Sequence, residues 1–453
     1  MSKINQLSED GLGHYYLSPE AQIVPLDTSF KQPVYQVILR GHRFQINDFT
    51  QRMLEMFRTP QTISAACCTL GVSASDMNHM IDQLLIRNRI LIPYGQSSEE
   101  GPPQSIETKR LPLVRASLIS QQLASVITRR LDVLFTPGYV VVALTLILAS
   151  YGILIHKYGY GRGNLVSVSS LSAAEWCAGI VLVYVSLFIH ELGHSAACSR
   201  YGAKHGDIGI GIYLIWPVFY ADVSDGWRLP RRQRVVIDIG GVYFQSMAVV
   251  LYVVIWLFSG WPFLVFSVYC IMASMILNLN PFLRFDGYWL FTDAIGVPRP
   301  WSTGMAIMYH RLRRYFLKSQ IQKNGLLDSL PRAIVYTLVV YASMATLFLG
   351  FCVVILVRSV IPRMIQFYPQ AISQLLVSVS SGQTGFGIIR IIFKLFIVSV
   401  SVFGLVMLVY KLLVKGLRRT RRLVSANDQF AGSVTPAPRS DSRNSEYDSA
   451  FAK

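Results

Sequence analysis

Six long apolar stretches constrain what this 453-residue chain can fold into. Roughly 20 apolar residues, coiled as a helix, match the thickness of the hydrocarbon core of a bilayer. Because lipid offers the backbone no hydrogen-bond partners, such segments must be helices or closed barrels. The sequence therefore predicts a polytopic α-helical membrane protein with about six transmembrane helices, at residues 138–156, 173–199, 237–259, 262–281, 333–357 and 388–412.

Composition and charge support a membrane protein and indicate its orientation. Hydrophobic residues make up 52% of the chain and charged residues 15%, which is typical of a membrane protein. The net charge of +17 lies mostly beside apolar segments, which favours anionic lipid over nucleic acid as the partner. Loops on one side of the predicted membrane are rich in Lys and Arg, whereas the opposite loops hold only Lys157, Arg162, Arg358 and Arg363. This asymmetry predicts a multi-pass protein with both termini in the cytoplasm.

The second apolar stretch contains the sequence HELGH, from His190 to His194. Histidines four positions apart lie on one face of a helix, so both rings can bind one metal ion. Glu191 between them is placed to act as a general base. Ionisable residues at membrane depth usually serve a function. The alternative is a buried helix whose two histidines are only hydrogen-bonded within the core.

A metal centre that catalyses hydrolysis needs a third protein ligand and an open position. Asp286 follows the fourth apolar stretch, in NPFLRFDGYWLF, and the predicted topology places it at the depth of HELGH. Asn280-Pro281 breaks the helix before it, and Gly287 permits a tight turn. Three other carboxylates occur in a basic loop or at a helix start, where capping or surface ion pairing is the usual role: Asp222, Asp225 and Asp238.

Residues 206–227, between the second and third spans, are apolar and rich in Gly, β-branched and aromatic residues. They predict a re-entrant β-loop packed against protein or a wet cavity. Its edge could receive an extended substrate by strand addition, or the loop could be only a hydrophobic plug. Three polar residues at membrane depth could hold such a strand or simply join helices: Gln245, Asn278 and Asn280.

The first 101 residues predict a small α+β winged-helix-like domain. VYQVILRGHRFQI predicts a pair of strands, and NDFTQRMLEMFR predicts a helix capped by Asn47 or Asp48. Two further helices separated by a glycine turn, and a last strand, complete the order. We expect a linker at 102–130, the membrane domain at 131–424 and a disordered tail at 425–453.

HELGH in one span and Asn-Pro…Asp-Gly after a later one resemble the site-2 protease family of intramembrane zinc metallopeptidases. The stretches YADVSDGWRLPRRQR and NPFLRFDGYWLF further resemble a bacterial branch of peptide zinc metalloproteases linked to biosynthesis or export of modified peptides. The resemblance implies that His190, His194 and Asp286 bind Zn²⁺ in the bacterial inner membrane, with Glu191 as the catalytic base. The chain departs from the family's Gly-Pro-x-x-Asn motif, since it has Gly241-Val242-Tyr243-Phe244-Gln245 there.

The N-terminal unit resembles the PqqD-like peptide-recognition domain, which implies a leader peptide of a ribosomally made, modified peptide as its partner. A purely structural role and a DNA-binding winged helix are the alternatives. The segment that would be the recognition helix contains Asp76 and Asp82 and is not markedly basic, so no nucleic-acid partner is expected.

Together these features predict a zinc metalloendopeptidase that cleaves a peptide precursor or a membrane-tethered peptide during maturation or export, with an export transporter as a further partner. One alternative is a membrane accessory protein for peptide export whose metal site is vestigial. Others are a regulatory protease that releases a membrane-anchored factor, and a membrane-anchored transcription regulator. The intact Glu191 favours an enzyme, because a structural metal site has no use for a base.

Overall fold

The computed structural model describes residues 13–39, 42–71, 81–86, 88–94, 115–158, 171–213, 216–317, 330–381 and single positions between 391 and 410. Within these ranges the chain forms an N-terminal unit of short strands and helices, followed by long apolar helices. The predicted tail at 425–453 lies outside the described residues.

Two three-stranded antiparallel sheets build the N-terminal unit, in the orders β5-β1-β6 and β2-β3-β4. The predicted strand pair is present, because β3 pairs with β4 from Val34↔Asn47 to Leu39↔His42. The predicted last strand is also present as β6. The elements are β1 (His14–Leu17), β2 (Gln22–Leu26), β3 (Val34–Leu39), β4 (His42–Asn47), α1 (Asp48–Met56), β5 (Gln61–Thr62), α2 (Ile63–Thr69), a helical turn (Ile81–Ile86) and β6 (Leu91–Pro93).

Helix α1 begins where its capping residue predicts. The Asn47 side chain accepts a hydrogen bond from the Thr50 backbone N–H at 2.8 Å, which satisfies one of the free N–H groups of the first turn. Gly71 follows α2 with a φ of +67°, as the predicted glycine turn requires. Most of the predicted third helix, residues 72–80, lies outside the described residues, and the part from Ile81 to Ile86 is helical.

The second half of the predicted linker is ordered. Residues Arg115–Ile119 form strand β7 and residues Gln121–Leu131 form helix α3. Strand β7 pairs with β8 of the later hairpin, so it covers an edge that would otherwise expose unpaired backbone groups. This part of the predicted linker, 102–130, therefore contains regular secondary structure.

Four helical segments are long and apolar enough to cross a membrane: 137–157, 174–200, 231–259 and 332–380. The first three coincide with predicted spans, and the fourth predicted span corresponds to a shorter apolar helix, 262–278. The sixth predicted span, 388–412, lies mostly outside the described residues. The helices are α4 (Pro137–Tyr158), α5 (Ala173–Arg200), α6 (Arg231–Ser259), α7 (Pro262–Asn278), α8 (Asp286–Ile295), α9 (Pro300–Leu317), α10 (Arg332–Ile355) and α11 (Ile361–Ser380).

The helix that begins at Arg332 does not end near residue 357 as predicted. It continues through a π-helical turn, Leu356–Val360, into α11. Arg358 was predicted to lie in a loop, but residues 356–380 contain no glycine to end a helix. Pro362 lies at the start of α11, directly after the π-helical turn.

Helices α5 and α6 cross at very close range. Helix α5 begins with a capping box in which Ser172 and Glu175 satisfy each other's backbone N–H groups. At the crossing, a side chain on Gly193 would collide with the backbone carbonyl of Gly240, and one on Gly240 would meet the backbone of Gly193. These two glycines therefore allow the HELGH segment to lie directly against α6.

The predicted β-loop forms an antiparallel hairpin. Strands β8 (Ile208–Tyr213) and β9 (Trp216–Ala221) pair from Ile208↔Ala221 to Tyr213↔Trp216. The sheet order is β7-β8-β9, which leaves the outer edge of β9 without a neighbouring strand among the described residues.

The N-terminal unit packs against the start of α6 and the end of α8. The segment between β2 and β3 provides the contacts. Asp27 pairs with Arg231 through Oδ1 and Nε, 3.1 Å apart, and the Ser29 backbone N–H donates to the Gly296 carbonyl at 3.0 Å. Phe30 packs into an apolar cluster with residues of α8 and α10.

Candidate metal centre

Three potential metal ligands converge where α5, α6 and α8 meet. His190 and His194 lie one turn apart on α5, and Asp286 is the first residue of α8. The His190 Nε2 atom lies 3.0 Å from His194 Nε2 and 2.8 Å from Asp286 Oδ2, and the His194 Nε2–Asp286 Oδ2 distance is 3.6 Å. Among the described residues no other His, Cys, Asp or Glu side chains form such a group.

A backbone carbonyl fixes the tautomer of His194. Its Nδ1 atom lies 2.7 Å from the carbonyl oxygen of Ile237 on α6. Because a carbonyl can only accept, Nδ1 must carry the hydrogen, and Nε2 keeps its lone pair. The helix that crosses α5 therefore holds the His194 ring with Nε2 close to His190 and Asp286.

A chain of hydrogen bonds fixes His190 in the same way. Its Nδ1 atom lies 3.2 Å from Gln245 Oε1. The Gln245 amide nitrogen donates to Ser186 at 3.3 Å and to Ser274 at 3.2 Å, and each of these hydroxyls donates to a backbone carbonyl of its own helix. Gln245 Oε1 must then accept from His190 Nδ1, which leaves the Nε2 lone pair facing Asp286. Such partners commonly orient metal-binding histidines.

Gly241 leaves the space that the ligand atoms need. A Cβ atom at this position would lie 2.5 Å from the Nε2 atoms of both His190 and His194. Even a methyl group would therefore displace the rings. Two lone pairs and a carboxylate facing one another suit a bound cation, so the three residues fit a single metal ion.

A tight turn after α7 delivers Asp286 to the histidines. Helix α7 ends at Asn278, and the Asn280 side chain accepts a hydrogen bond from the Phe282 backbone N–H at 2.9 Å. The Cβ of any other residue at 287 would overlap the backbone of Leu279. Gly287 therefore allows α8 to start directly against the end of α7, with Asp286 facing α5.

A cavity of about 430 Å³ opens beside these ligands, and we call it the site cavity. Glu191, His194 and Asp286 line its inner end, and residues of β9, of the 222–227 loop and of α6 and α8 form its walls. The backbone of Ala221, at the end of β9, lies within hydrogen-bonding reach of the Glu191 carboxyl. Glu191 thus faces an open space next to His194 and Asp286.

The other candidates from the sequence occupy different positions. Gln245 is fully buried and its amide is engaged by His190 and two serines, so in this structure it orients a ligand and does not line the site cavity. Asn280 stabilises the turn before Asp286, and Asn278 is the last residue of α7. Asp225 pairs with Arg228 at 2.7 Å and accepts a hydrogen bond from the backbone N–H of Lys204. This is the role expected for a loop carboxylate.

A buried ion pair on the wall of the site cavity was not predicted from the sequence. Arg234 Nε lies 2.9 Å from Asp293 Oδ1, and both side chains are more than 90% buried. The same guanidinium donates to the backbone carbonyl of Asp27 at 3.1 Å. Asp293 follows Asp286 by two helical turns and so lies on the same face of α8. This spacing is the one signal in the sequence that could have indicated that Asp293 lies near the candidate site.

No protein-family model, curated protein or solved structure matches this chain.

Proposed function

We propose that this protein is an intramembrane zinc metalloendopeptidase of the site-2 protease type. The observation that carries the proposal is the convergence of the His190 and His194 Nε2 atoms on Asp286, with Glu191 beside them in an open cavity. Three protein ligands with access for water are typical of catalytic zinc centres, whereas structural centres use four. A vestigial accessory protein would have no need to keep Glu191 facing that cavity.

The ligand geometry supports zinc as the metal. In a tetrahedral site with bonds of about 2.05 Å, ligand atoms are about 3.3 Å apart. The observed separations of 2.8, 3.0 and 3.6 Å bracket that value. Two imidazole nitrogens and one carboxylate oxygen are a donor set that zinc accepts.

Hydrolysis requires the chain to transfer one proton twice. Zinc, when bound, would lower the pKa of water, and its positive charge would stabilise the developing oxyanion. The Glu191 carboxylate would accept a proton from water as the oxygen attacks the peptide carbonyl carbon. The C–N bond then breaks as the Glu191 carboxyl returns that proton to the leaving amine nitrogen. The Ala221 backbone, close to the carboxyl, would hold Glu191 toward the substrate.

Strand β9 is suited to hold an extended substrate. A peptide bond within a membrane helix is hydrogen-bonded internally, so a substrate must unwind before it can be cut. The outer edge of β9 has no neighbouring strand among the described residues, and its last residue, Ala221, adjoins Glu191. We propose that the peptide adds to this edge as a further strand. Asn278 and Asn280, near the turn after α7, remain candidates to hold its backbone.

We further propose a multi-pass position in the bacterial inner membrane, with both termini cytoplasmic and a role in maturation or export of a modified peptide. The N-terminal unit would bind the leader of the precursor, and an export transporter would receive the product. The contacts of Asp27 and Ser29 with Arg231 and Gly296 would hold this unit close to the wall of the site cavity, where capture can assist cleavage.

We expect the full chain to bind the precursor peptide that it cleaves and not duplex DNA. The motivation is that, in the part of the N-terminal unit that the structure describes, the outer strands of both sheets have a free edge. The segment that would be the recognition helix is also not markedly basic. Isothermal titration at low salt with both ligands is the measurement. Tight DNA binding without peptide binding would instead favour the membrane-anchored regulator.

The proposed function is tested by metal dependence. We expect the purified chain to contain one zinc per chain by elemental analysis and to cleave peptides from a fluorogenic library. Removal of zinc with 1,10-phenanthroline should abolish cleavage, and added Zn²⁺ should restore it, because the metal supplies the charge stabilisation. Cleavage that survives complete loss of metal would refute the proposal.

A further inference from the structure

We infer that the site cavity contains a subsite for a basic side chain, Lys or Arg, of the peptide substrate. This inference rests on the proposed function and adds a substrate class to it. The cavity is contiguous with the candidate metal centre, because Glu191, His194 and Asp286 line it together with residues of the 222–227 loop, α6 and α8. A peptide bound at Glu191 would therefore place a neighbouring side chain inside the cavity.

The carboxyl groups that line the cavity outnumber its Lys and Arg side chains. Asp222, Asp238 and Asp293 line its walls, and Arg234 is the one Lys or Arg among the described lining residues. Arg234 is already committed, because its three donor nitrogens bind Asp293, the Leu229 carbonyl and the Asp27 carbonyl at 2.9–3.1 Å. Asp222 and Asp238 are left without a cationic partner on that surface.

Asp238 carries the strongest sign of a missing ligand. Its Oδ2 atom is buried and receives no hydrogen bond from a described donor, and the Asp238 carboxyl lies within hydrogen-bonding reach of the Asp293 carboxyl. A buried oxygen that receives no hydrogen bond is unfavourable, and such an oxygen next to a cavity can be satisfied by a ligand. Asp238 directly follows Ile237, whose carbonyl accepts the hydrogen bond from His194. Asp238 is therefore the next residue in the chain after one that holds a histidine of the candidate metal centre.

The aromatic walls of the cavity also suit a cation. Trp227 and Trp289 pack edge to face, with ring centroids 5.8 Å apart and an interplanar angle of 89°, and both line the cavity. Aromatic faces attract ammonium and guanidinium groups, and long basic side chains also bury their methylene stems on apolar surface. A volume of about 430 Å³ is within the common range for ligand pockets, about 300–1,000 Å³, and can hold such a side chain.

The test compares two peptides that differ only in one ammonium group. Fluorescent twelve-residue probes, acetylated and amidated so that they have no terminal charge, carry one central lysine or one central norleucine. Binding is measured by fluorescence anisotropy with the purified full chain that carries Glu191→Gln, which prevents turnover. We expect the lysine probe to bind at least tenfold more tightly than the norleucine probe.

Matched variants locate the effect. Asp238→Asn, which keeps the shape of the side chain, should weaken binding of the lysine probe to the level of the norleucine probe and leave the latter unchanged. Asp222→Asn should have a smaller effect in the same direction. Asp225→Asn is the control, because Asp225 belongs to the same loop but pairs with Arg228 and does not line the cavity. Zinc content and melting temperature of each variant show that the fold is intact.

Three results would overturn the subsite. The first is equal binding of the two probes, and the second is an equal loss of lysine-probe binding in Asp225→Asn and Asp238→Asn. The third is a second zinc equivalent per chain that Asp238→Asn removes, since a metal ion would then occupy the cavity. Zinc-dependent cleavage without a preference for lysine would refute the subsite alone, whereas lysine binding at Asp238 without any cleavage would refute the protease alone.

Discussion

Replacing Glu191 by Gln should abolish peptide cleavage while the protein keeps its fold and its zinc. The amide has the shape of the carboxylate but cannot accept the proton of the attacking water. General acid–base catalysis typically contributes about 10²–10⁴-fold to a rate, so we expect kcat to fall by at least 100-fold. Zinc content should remain that of the unchanged chain, since the three residues that converge are His190, His194 and Asp286.

The control for this variant is Glu175→Gln in the same helix. Glu175 belongs to the capping box at the start of α5, far from HELGH, and a glutamine there can still cap the helix. This variant should retain normal turnover and normal zinc. Near-normal cleavage by Glu191→Gln would disprove its role as the base, and loss of zinc in that variant would mean that Glu191 is a ligand.

Local spacing explains why the centre of the candidate site could be predicted. The four-residue separation of His190 and His194 places both rings on one helical face in any helix, and the long apolar run predicts that helix. Asp286 required more, because its approach to the histidines depends on topology. The break at Asn280-Pro281 and the glycine at 287 were the local signals of the turn that brings it there.

The supporting residues could not be predicted, because their contacts join distant parts of the chain. Gln245 meets His190 across 55 positions, and Arg234 meets Asp293 across 59. Nothing in the sequence near Gln245 distinguishes a residue that orients a histidine from one that holds a substrate. The pairing of β7 with β8 was missed for the same reason, since a five-residue strand inside a polar segment becomes stable only when a hairpin edge is available.

Replacing Asp286 by Ala should remove zinc from the purified protein, whereas Asp225→Ala should not. The change takes away one of three ligand atoms and leaves two neutral imidazoles, without the anion that offsets the charge of the metal. Loss of a residue that only orients a ligand typically weakens metal binding about 10–100-fold. Loss of the ligand itself should therefore weaken it by 100-fold or more.

Elemental analysis after dialysis against a zinc buffer measures this difference, and peptide cleavage should fall in parallel with zinc. Asp225 is a stringent control, because it was a competing carboxylate in the sequence and lies in the loop next to the site cavity, but it is engaged by Arg228 and the Lys204 backbone. If Asp225→Ala lost zinc and Asp286→Ala retained it, the ligand assignment would be wrong. The 2.8 Å approach of Asp286 to His190 would then be an ordinary buried hydrogen bond, and the third ligand would have to come from the loop that carries Asp225.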